Sequence, residues 1–403
     1  MLRRLPSFLA AAFMAAGLHT AARAAPDPVV IGVLTDMSSI LSDALGAGSV
    51  DTTRMAIEDF GGQVLGRPIK LIFADHLSKA DIGAGIANKW IDEDAVRLFV
   101  DLGNSAVALA VQNIAQQKDR IVITTGAASS DITGKNCTAT TFAWGYDTYQ
   151  FSHVAVPALL AEGTKTWFLI IPDYAFGHAM ARDITKVIEQ AGGKVLGTAV
   201  HPAGTTDYAS YLLKAQSMQP QAIGFLGAVA DLQNSLKQAR EFGILAPPMK
   251  AVAPGMMLVD EHAVGTDIAQ GIYVSSVVFY WNMNADVRTW SERFRKRNGK
   301  WPTEAQAMNY SAVTHYLKAV AAAGTTDTAA VVAKMREMPV NDLFTHDARI
   351  RADGRLMRDV NLAQVKKPSE VKEAWDDYTI LQRIPAAQVF RPVEESECKL
   401  LKK

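Results

Sequence analysis

The sequence predicts an α/β protein with two similar lobes that are joined by several crossings of the chain. Short apolar runs alternate with segments of helical length over residues 29–125, and again over residues 150–276. A polar and aromatic segment, residues 136–147, separates the two series. Such alternation is typical of parallel sheets with right-handed crossovers, and 403 residues are too many for a single core.

The first series begins with the apolar run Val29–Leu34, whose Val, Ile and Leu content favours a buried strand. The turn Leu65–Pro68 then separates a helix from the second strand. Strands are predicted at 29–34, 69–75, 97–101 and 121–124, and helices at 49–60, 79–93 and 106–117.

The second series repeats this pattern after residue 150. Strands are predicted at 166–171, 194–200, 222–226, 249–253 and 271–276, and helices at 151–162, 177–191, 208–218 and 230–242.

The C-terminal part has too few elements for a core of its own, so it must complete the two lobes. The chain then crosses between the lobes several times, which makes a hinge. Helices are predicted at 285–297, 303–323 and 328–338, an Asp-Gly turn within 349–355, and strands at 362–365 and 378–381.

The N-terminus predicts a secretory signal peptide over residues 1–24. Arg3 and Arg4 precede an apolar stretch, residues 5–18, that is too short to span a bilayer. An Ala-x-Ala site at Ala22–Ala24 follows. We expect cleavage near Ala24 and export to the periplasm. The alternative is a buried N-terminal helix.

Charge and cysteine content bear on the binding partners, the disulfide and the metal sites that the chain can have. Lys+Arg and Asp+Glu both number 41, so no basic excess points to nucleic acid or a membrane surface. Two cysteines, Cys137 and Cys398, favour one disulfide in an oxidising compartment, which ties the C-terminal tail to the middle of the chain. The alternative is two unpaired thiols. Neither CxxC nor Cys/His spacing is present, so we expect no metal site and no cofactor.

Two turns of small and polar residues follow neighbouring predicted strands: Asn104-Ser105 and Gly126-Ala127-Ala128. The carboxyl ends of parallel strands bind ligands in open α/β sheets. A helix N-terminus suits an anion such as a carboxylate. The alternative is that these residues only cap helices and form turns.

Seven motifs in order resemble the type I periplasmic solute-binding proteins of ABC importers, specifically the branched-chain amino acid (Leu/Ile/Val) binding class. The resemblance covers the whole chain after residue 24. The motifs on which it rests are Ile31–Asp36, Met55–Gly62, Leu65–Ile69, Asn104-Ser105, Tyr174–Gly177, Thr206–Leu212 and Gln238–Gly243.

The resemblance implies two Rossmann-like lobes with a multi-crossover hinge, which close over one ligand and present it to permease subunits, without catalysis. It implies a monomer. The expected division is 25–146 with 279–343 for lobe 1, 147–278 with 344–381 for lobe 2, and a tail at 382–403. The ligand sites carried over by motif are Ser38-Ser39-Ile40, Asn104-Ser105 for a carboxylate, and Gly126-Ala127-Ala128.

Two departures from the family pattern bear on the ligand. The stretch that matches the family's ammonium-binding acid is Ala253–Leu258, which contains no acid; Asp231 is the nearby acidic alternative. Aromatic side chains, Tyr149 and Phe279–Trp281, are unusually frequent near the expected cleft; the alternative for Phe279–Trp281 is a buried strand of the hinge. The two departures together point to an aromatic acid as the ligand. The alternatives are an amino acid or amide ligand, or a binding protein that serves a chemoreceptor. The second set of candidate contacts is Tyr149, Tyr174, Phe176, Met256, Tyr280 and Trp281.

An enzyme is the main competing class. The chain has no HExxH, GxSxG or GxxxxGK[ST] motif. His178, His201 and His315 are far apart in sequence and lack a nucleophile or metal spacing. We therefore expect no catalytic residue.

Overall fold

The computed structural model describes residues 26–401, and it confirms the predicted α/β fold class with two parallel-sheet lobes. The predicted signal peptide, residues 1–24, lies outside the described residues. Within residues 26–401, no helix is both long enough and apolar enough to cross a bilayer.

The first sheet is formed by β1 (Val29–Thr35), β2 (Gln63–Val64), β3 (Arg67–Asp75), β4 (Leu98–Asp101), β5 (Ile121–Thr124) and β6 (Thr141–Ala143). Its strand order is β2-β3-β1-β4-β5-β6. Neighbours pair in parallel, except that β2 pairs antiparallel with β3.

Helices cover both faces of the first sheet, which explains why β1, β4 and β5 are buried along their whole length. Val29, Ile31 and Val33 of β1 pack into one core, whereas Val30 and Leu34 pack into a second core. The connecting helices are α1 (Gly46–Asp59), α2 (Ala80–Asp92) and α3 (Ser105–Gln117).

The second sheet is formed by β7 (Thr166–Pro172), β8 (Lys194–His201), β9 (Ala222–Phe225), β10 (Lys250–Val252), β11 (Tyr273–Val277), β14 (Val360–Val365) and β15 (Tyr378–Ile384). Its strand order is β15-β14-β11-β10-β9-β7-β8. The strands from β7 to β11 are parallel, and β14 and β15 extend the edge in antiparallel pairing. A separate small hairpin joins β12 (Arg349–Ile350) and β13 (Leu356–Met357).

Helices from the second half of the chain pack against both sheets. Those around the second sheet are α4 (Thr148–Ala161), α5 (Ala175–Gln190), α6 (Ala209–Ser217), α7 (Ala230–Glu241), α8 (Leu258–Val264), α9 (Thr266–Ala269) and α13 (Ala386–Val389). The others are α10 (Ala285–Asn298), α11 (Glu304–Ala323) and α12 (Thr328–Glu337). Helix α11 returns to the first sheet, where Asn309 donates a hydrogen bond to the carbonyl of Ser49 at 2.9 Å.

The chain passes between the sheets at 144–147, 278–284 and 338–359. Arg355, which is buried in the third crossing, holds the first crossing. Its guanidinium donates to the carbonyls of Ala143, Gly145 and Tyr146 and pairs with Asp147 at 3.0 Å. The predicted multi-crossover connection is therefore present, and adjacent crossings are bonded to each other.

The C-terminal tail contacts both halves of the molecule. Cys137 and Cys398 form the predicted disulfide, with their Cα atoms 5.6 Å apart. Lys186 of α5 pairs with Glu395 at 2.7 Å. The tail thus bridges the loop before β6 and a helix of the second sheet.

Candidate functional site

A cavity lies where the carboxyl ends of strands from both sheets meet. Its walls come from the turns after β1, β4 and β5 in the first sheet, the turns after β7, β9 and β10 in the second, and the first crossing. The space between these walls, open solvent included, is about 430 Å³. The lining residues are Leu41, Ala44, Leu45, Gly103, Ser105, Gly126, Ala128, Tyr146, Phe151, Tyr174, Phe176, Ala228, Val229, Gly255 and Met257.

Ser105 presents a free hydroxyl proton at the first-sheet wall. It is the first residue of α3, and its Oγ accepts the backbone N–H of Ser129 at 3.1 Å. Because this hydroxyl donates to no acceptor within residues 26–401, its proton is available to a ligand. Asn104 caps the same helix, because its Oδ1 accepts the N–H of Ala106 at 2.9 Å. Asn104 itself is not in the cavity lining.

Backbone N–H groups complete this wall. Those of Ser105, Gly126 and Ala128 donate to no acceptor within the described part of the chain. Unpaired N–H groups at a helix N-terminus and a turn form an anion-binding concavity. The geometry suits a carboxylate at this wall.

Asp101 lies behind this wall, at the end of β4. Its Oδ1 is 3.4 Å from where a Cβ on Gly126 would stand. Burial raises the pKa of Asp101 to about 7. Near neutral pH its carboxyl is partly protonated, which reduces its repulsion of a bound anion.

Leu45 shapes the floor of the cavity by filling the space above two glycines. A Cβ on Gly103 would lie 1.8 Å from Cδ1 of Leu45, and a Cβ on Gly126 would lie 2.8 Å from its Cδ2. The small residues after β4 and β5 are therefore needed for this close approach.

The second-sheet wall is apolar and aromatic. The rings of Tyr174 and Phe176 pack with centroids 6.0 Å apart. Gly255 and Met257 come from the stretch where the family pattern has an acid. Among the described lining residues, none is Asp, Glu, Lys, Arg or His.

The Tyr174 hydroxyl is a buried polar group in this wall. Its oxygen has no hydrogen-bond partner in the described part of the chain. Burial, together with the nearby charge of Asp231, raises the pKa of Tyr174, so the hydroxyl keeps its proton and acts as a donor.

The remaining predicted contacts of lobe 1 are engaged elsewhere. The hydroxyls of Ser38 and Ser39 donate to Asp75 and Asp36, each at 2.5 Å. The carbonyl of Ile40 accepts the N–H of Ala230, 3.4 Å away across the two halves. The side chains of these three residues are outside the lining, which this loop supplies through Leu41, Ala44 and Leu45 instead. Ala127 is buried in the second core of the first sheet.

Two other predicted contacts are buried away from the cavity. The ring of Tyr149 stacks on His153 at 3.9 Å, and the guanidinium of Arg391 lies 4.9 Å from its centroid. Met256 is buried, and its carbonyl accepts the hydroxyl of Ser276. The neighbouring Met257 reaches the cavity instead.

Tyr280 and Trp281 lie in the second crossing, outside the cavity lining. The indole of Trp281 stacks on Trp301 with centroids 4.1 Å apart and donates to the carbonyl of Trp375 at 2.8 Å. The hydroxyl of Tyr280 donates to Asp376 at 3.1 Å. The structure therefore places both aromatic residues in hinge packing.

Besides Leu41, Ala44, Leu45, Gly103, Gly255 and Met257, sequence reasoning missed two further groups of lining residues. Ala228 and Val229 follow the predicted strand 222–226, so the rule that ligands bind after parallel strands was enough to include them. Tyr146 lies in the first crossing and Phe151 follows it in α4; their rings pack at a tilt with centroids 5.0 Å apart. The only sequence signal for Tyr146 is its place in the segment between the two series. Within residues 26–401, no cluster of His, Cys, Asp or Glu is arranged to hold a metal ion.

Comparison with known proteins gives a consistent result. Residues 28–370 match the family model described as periplasmic binding protein. The chain is 25% identical to a Leu/Ile/Val-binding protein homolog of Brucella melitensis over 307 residues, 76% of this chain and 81% of the relative.

Solved structures extend the likeness. A periplasmic binding protein from Burkholderia mallei is 41% identical, with a TM-score of 0.91 over 93% of this chain and all of that one. A solute-binding protein of an ABC transporter from R. palustris, solved with benzoate, shares the fold at 17% identity, with a TM-score of 0.79 over 92% of this chain and 99% of that one.

Proposed function

The chain belongs to the periplasmic binding protein family, and from that premise we propose that it is the extracytoplasmic solute-binding component of an ABC importer. It captures a small carboxylate and delivers it to the permease subunits without chemical change, cofactor or metal. The proposal includes export to the periplasm, removal of residues 1–24 and a monomeric state.

The proposed ligand is an aromatic acid. The observation that carries this proposal is the asymmetry of the cavity. The first-sheet wall offers N–H groups and the Ser105 hydroxyl to an anion, whereas the described lining contains no acid for an ammonium group. An aromatic ring that packs against Tyr174 and Phe176 gains stacking energy in addition to the burial of its area. Charge-assisted hydrogen bonds hold the carboxylate.

Hinge closure is the proposed mechanism, with 25–146 plus 279–343 moving against 147–278 plus 344–381. Contacts across the cleft support it. The hydroxyl of Ser130, next to the anion-binding turn, donates to Asp183 of α5 at 2.7 Å. Asp131 pairs with Arg182 at 3.1 Å. A ligand that bridges both walls favours the closed arrangement, because it gains its full contacts only there.

The alternative is an amino acid or amide ligand, which the Brucella relative's name supports. In that case the ammonium group is held by backbone carbonyls, since no acid is in the described lining. A protein that serves a chemoreceptor would use the same cavity.

A thermal-shift screen followed by calorimetry tests the proposal with benzoate, 4-hydroxybenzoate, leucine and valine. Ligand at about 100 times its Kd stabilises the protein by about 2.7 kcal/mol. We expect shifts with the aromatic acids, and recovery of unchanged ligand by NMR. Stabilisation by leucine and valine alone would reject the aromatic ligand, and turnover would reject a binding-only role.

A further inference from the structure

The Tyr174 hydroxyl is the feature that the proposed function leaves unexplained. Its ring lines the cavity, but its oxygen is buried and has no partner in the described chain. A buried donor without an acceptor is unfavourable, and such groups are rare in native proteins unless water or a ligand satisfies them. A bound ligand with an acceptor at this point removes the cost.

The location of Tyr174 determines which end of the ligand it meets. Ser105 and the turn at Gly126 lie in the first-sheet wall, whereas Tyr174 lies in the second. A carboxylate held by the first wall therefore places the remote end of the ligand at the Tyr174 side. The ring of Phe176 lies beside Tyr174 and covers the apolar body between the two ends.

Asp231 behind this wall restricts the charge of the remote group. It is buried in the first turn of α7, where Oδ1 accepts the N–H of Gly204 at 2.8 Å and Oδ2 has no partner in the described chain. Burial raises the pKa of Asp231 to about 6, so the carboxylate is mostly ionised at pH 7. Its charge opposes a second carboxylate near Tyr174. The remote group must accept a hydrogen bond and be neutral.

We propose that Tyr174 selects ligands that carry a neutral hydroxyl at the end remote from the carboxylate, so that the ligand class is a hydroxy-substituted aromatic monocarboxylate. This inference rests on the proposed function. The ligand hydroxyl accepts the proton of the Tyr174 hydroxyl. A ligand without that oxygen leaves Tyr174 unpaired and binds more weakly, as expected for a site built around a polar contact.

Calorimetry on matched ligands and variants tests this selection. The probes are benzoate, 3-hydroxybenzoate, 4-hydroxybenzoate and terephthalate. The proteins are wild type, Tyr174→Phe and the control Tyr211→Phe, whose ring packs on Tyr208 outside the cavity lining. Wild type should prefer one of the hydroxybenzoates over benzoate by about five- to a hundredfold. Terephthalate should bind more weakly than benzoate.

Tyr174→Phe should reduce the preference to less than twofold, whereas Tyr211→Phe should retain the preference. Equal affinity of wild type for benzoate and both hydroxybenzoates overturns the inference while the proposed aromatic ligand stands. A preference that survives Tyr174→Phe also overturns it.

If none of the benzoates binds, the proposed ligand class fails. The affinities for tyrosine and phenylalanine as ligands are then compared, because the two differ only in the hydroxyl. A preference for tyrosine that Tyr174→Phe removes then supports the selecting role of this hydroxyl. Equal or absent binding of both amino acids overturns it.

Discussion

The hydroxyl of Tyr146 donates a hydrogen bond to the sulfur of Met257, 3.3 Å away. Tyr146 belongs to the first crossing, and Met257 follows β10 in the second sheet. The contact joins the two sides of the cavity directly beside the ligand space.

Tyr146→Phe should weaken ligand binding by about two- to fivefold. The ring and its packing against Phe151 remain, so only one hydrogen bond of ~0.5–1 kcal/mol is lost from the closed arrangement. Calorimetry with the best ligand measures the change. Tyr316→Phe, a buried tyrosine of α11 outside the lining, is the control. Equal affinity in the two variants would show that the contact does not support closure.

Ser105→Ala should reduce the affinity for a carboxylate ligand by about ten- to a hundredfold, because a hydrogen bond to a charged group is worth ~1.5–3 kcal/mol. Titration with benzoate measures this loss. Ser129→Ala is the matched control, since it keeps the backbone N–H that Ser105 accepts. Similar losses in both variants would indicate a disturbed loop rather than a lost ligand contact.

Trp281→Ala should lower stability and leave ligand affinity unchanged. The side chain is fully buried and stacked on Trp301, and truncating such a residue costs ~3–5 kcal/mol. Chemical unfolding gives the first quantity and calorimetry the second. Lost affinity in a variant that remains folded would show that Trp281 contributes to ligand binding.

Glu304 should make stability fall as the pH rises. It is buried, and both carboxylate oxygens lie 3.4 Å from the backbone nitrogen of Leu258. Burial, with the charge of Asp260 adding to it, raises the pKa of Glu304 from 4.5 to about 8. The folded state therefore holds a proton that the unfolded state has released, so stability is fully present below pH 4.5 and declines toward pH 8.

Melting temperatures between pH 5 and 8.5 test this dependence. Glu304→Gln should flatten the decline by several degrees across the range, whereas the exposed Glu292→Gln should not change it. A residual slope is expected, because burial also raises the pKa values of Asp260 and Glu261. Identical slopes for wild type and Glu304→Gln contradict the assignment.

Cys398→Ser should destabilise the protein by ~2–5 kcal/mol, since the bond closes a loop of 261 residues. A thiol assay on the denatured, unreduced wild-type protein should detect no free thiol. The double variant with Cys137→Ser should match the single variant in chemical unfolding. A double variant as stable as wild type would mean that the tail contacts, including Lys186 with Glu395, suffice.

The fold was largely predictable because its signal is local and repeated. Predicted helices and strands recur with ends that move by up to three residues. Helix α1, for example, begins at Gly46 rather than residue 49, where the Thr35 hydroxyl accepts the N–H of Gly46 at 3.2 Å. The short helices α8 and α9 were not predicted, since seven and four residues carry too little periodicity.

The cavity was predictable only where a residue follows a strand. Ser105, Gly126, Ala128, Tyr174 and Phe176 reach the lining for this reason.

Which way a side chain points within a loop could not be inferred, because neighbouring acids decide it. Asp36 and Asp75 draw Ser38 and Ser39 away from the cavity. Trp281 was predicted as a ligand contact because aromatic residues are frequent in its segment. Its actual partners, Trp301 and Trp375, are distant in sequence, so these contacts could not be inferred.

The fit of Leu45 over Gly103 and Gly126 has a consequence for directed evolution of this protein. A side chain at either glycine collides with Leu45, so scanning these positions one at a time will return inactive variants. Substitutions in contact are coupled. Leu45→Ala frees the volume that a residue at 103 needs, whereas a residue at 126 must also fit against the Cα of Gly103, 3.1 Å from its Cβ. Libraries that vary the three positions together are therefore the practical route to new ligand sizes.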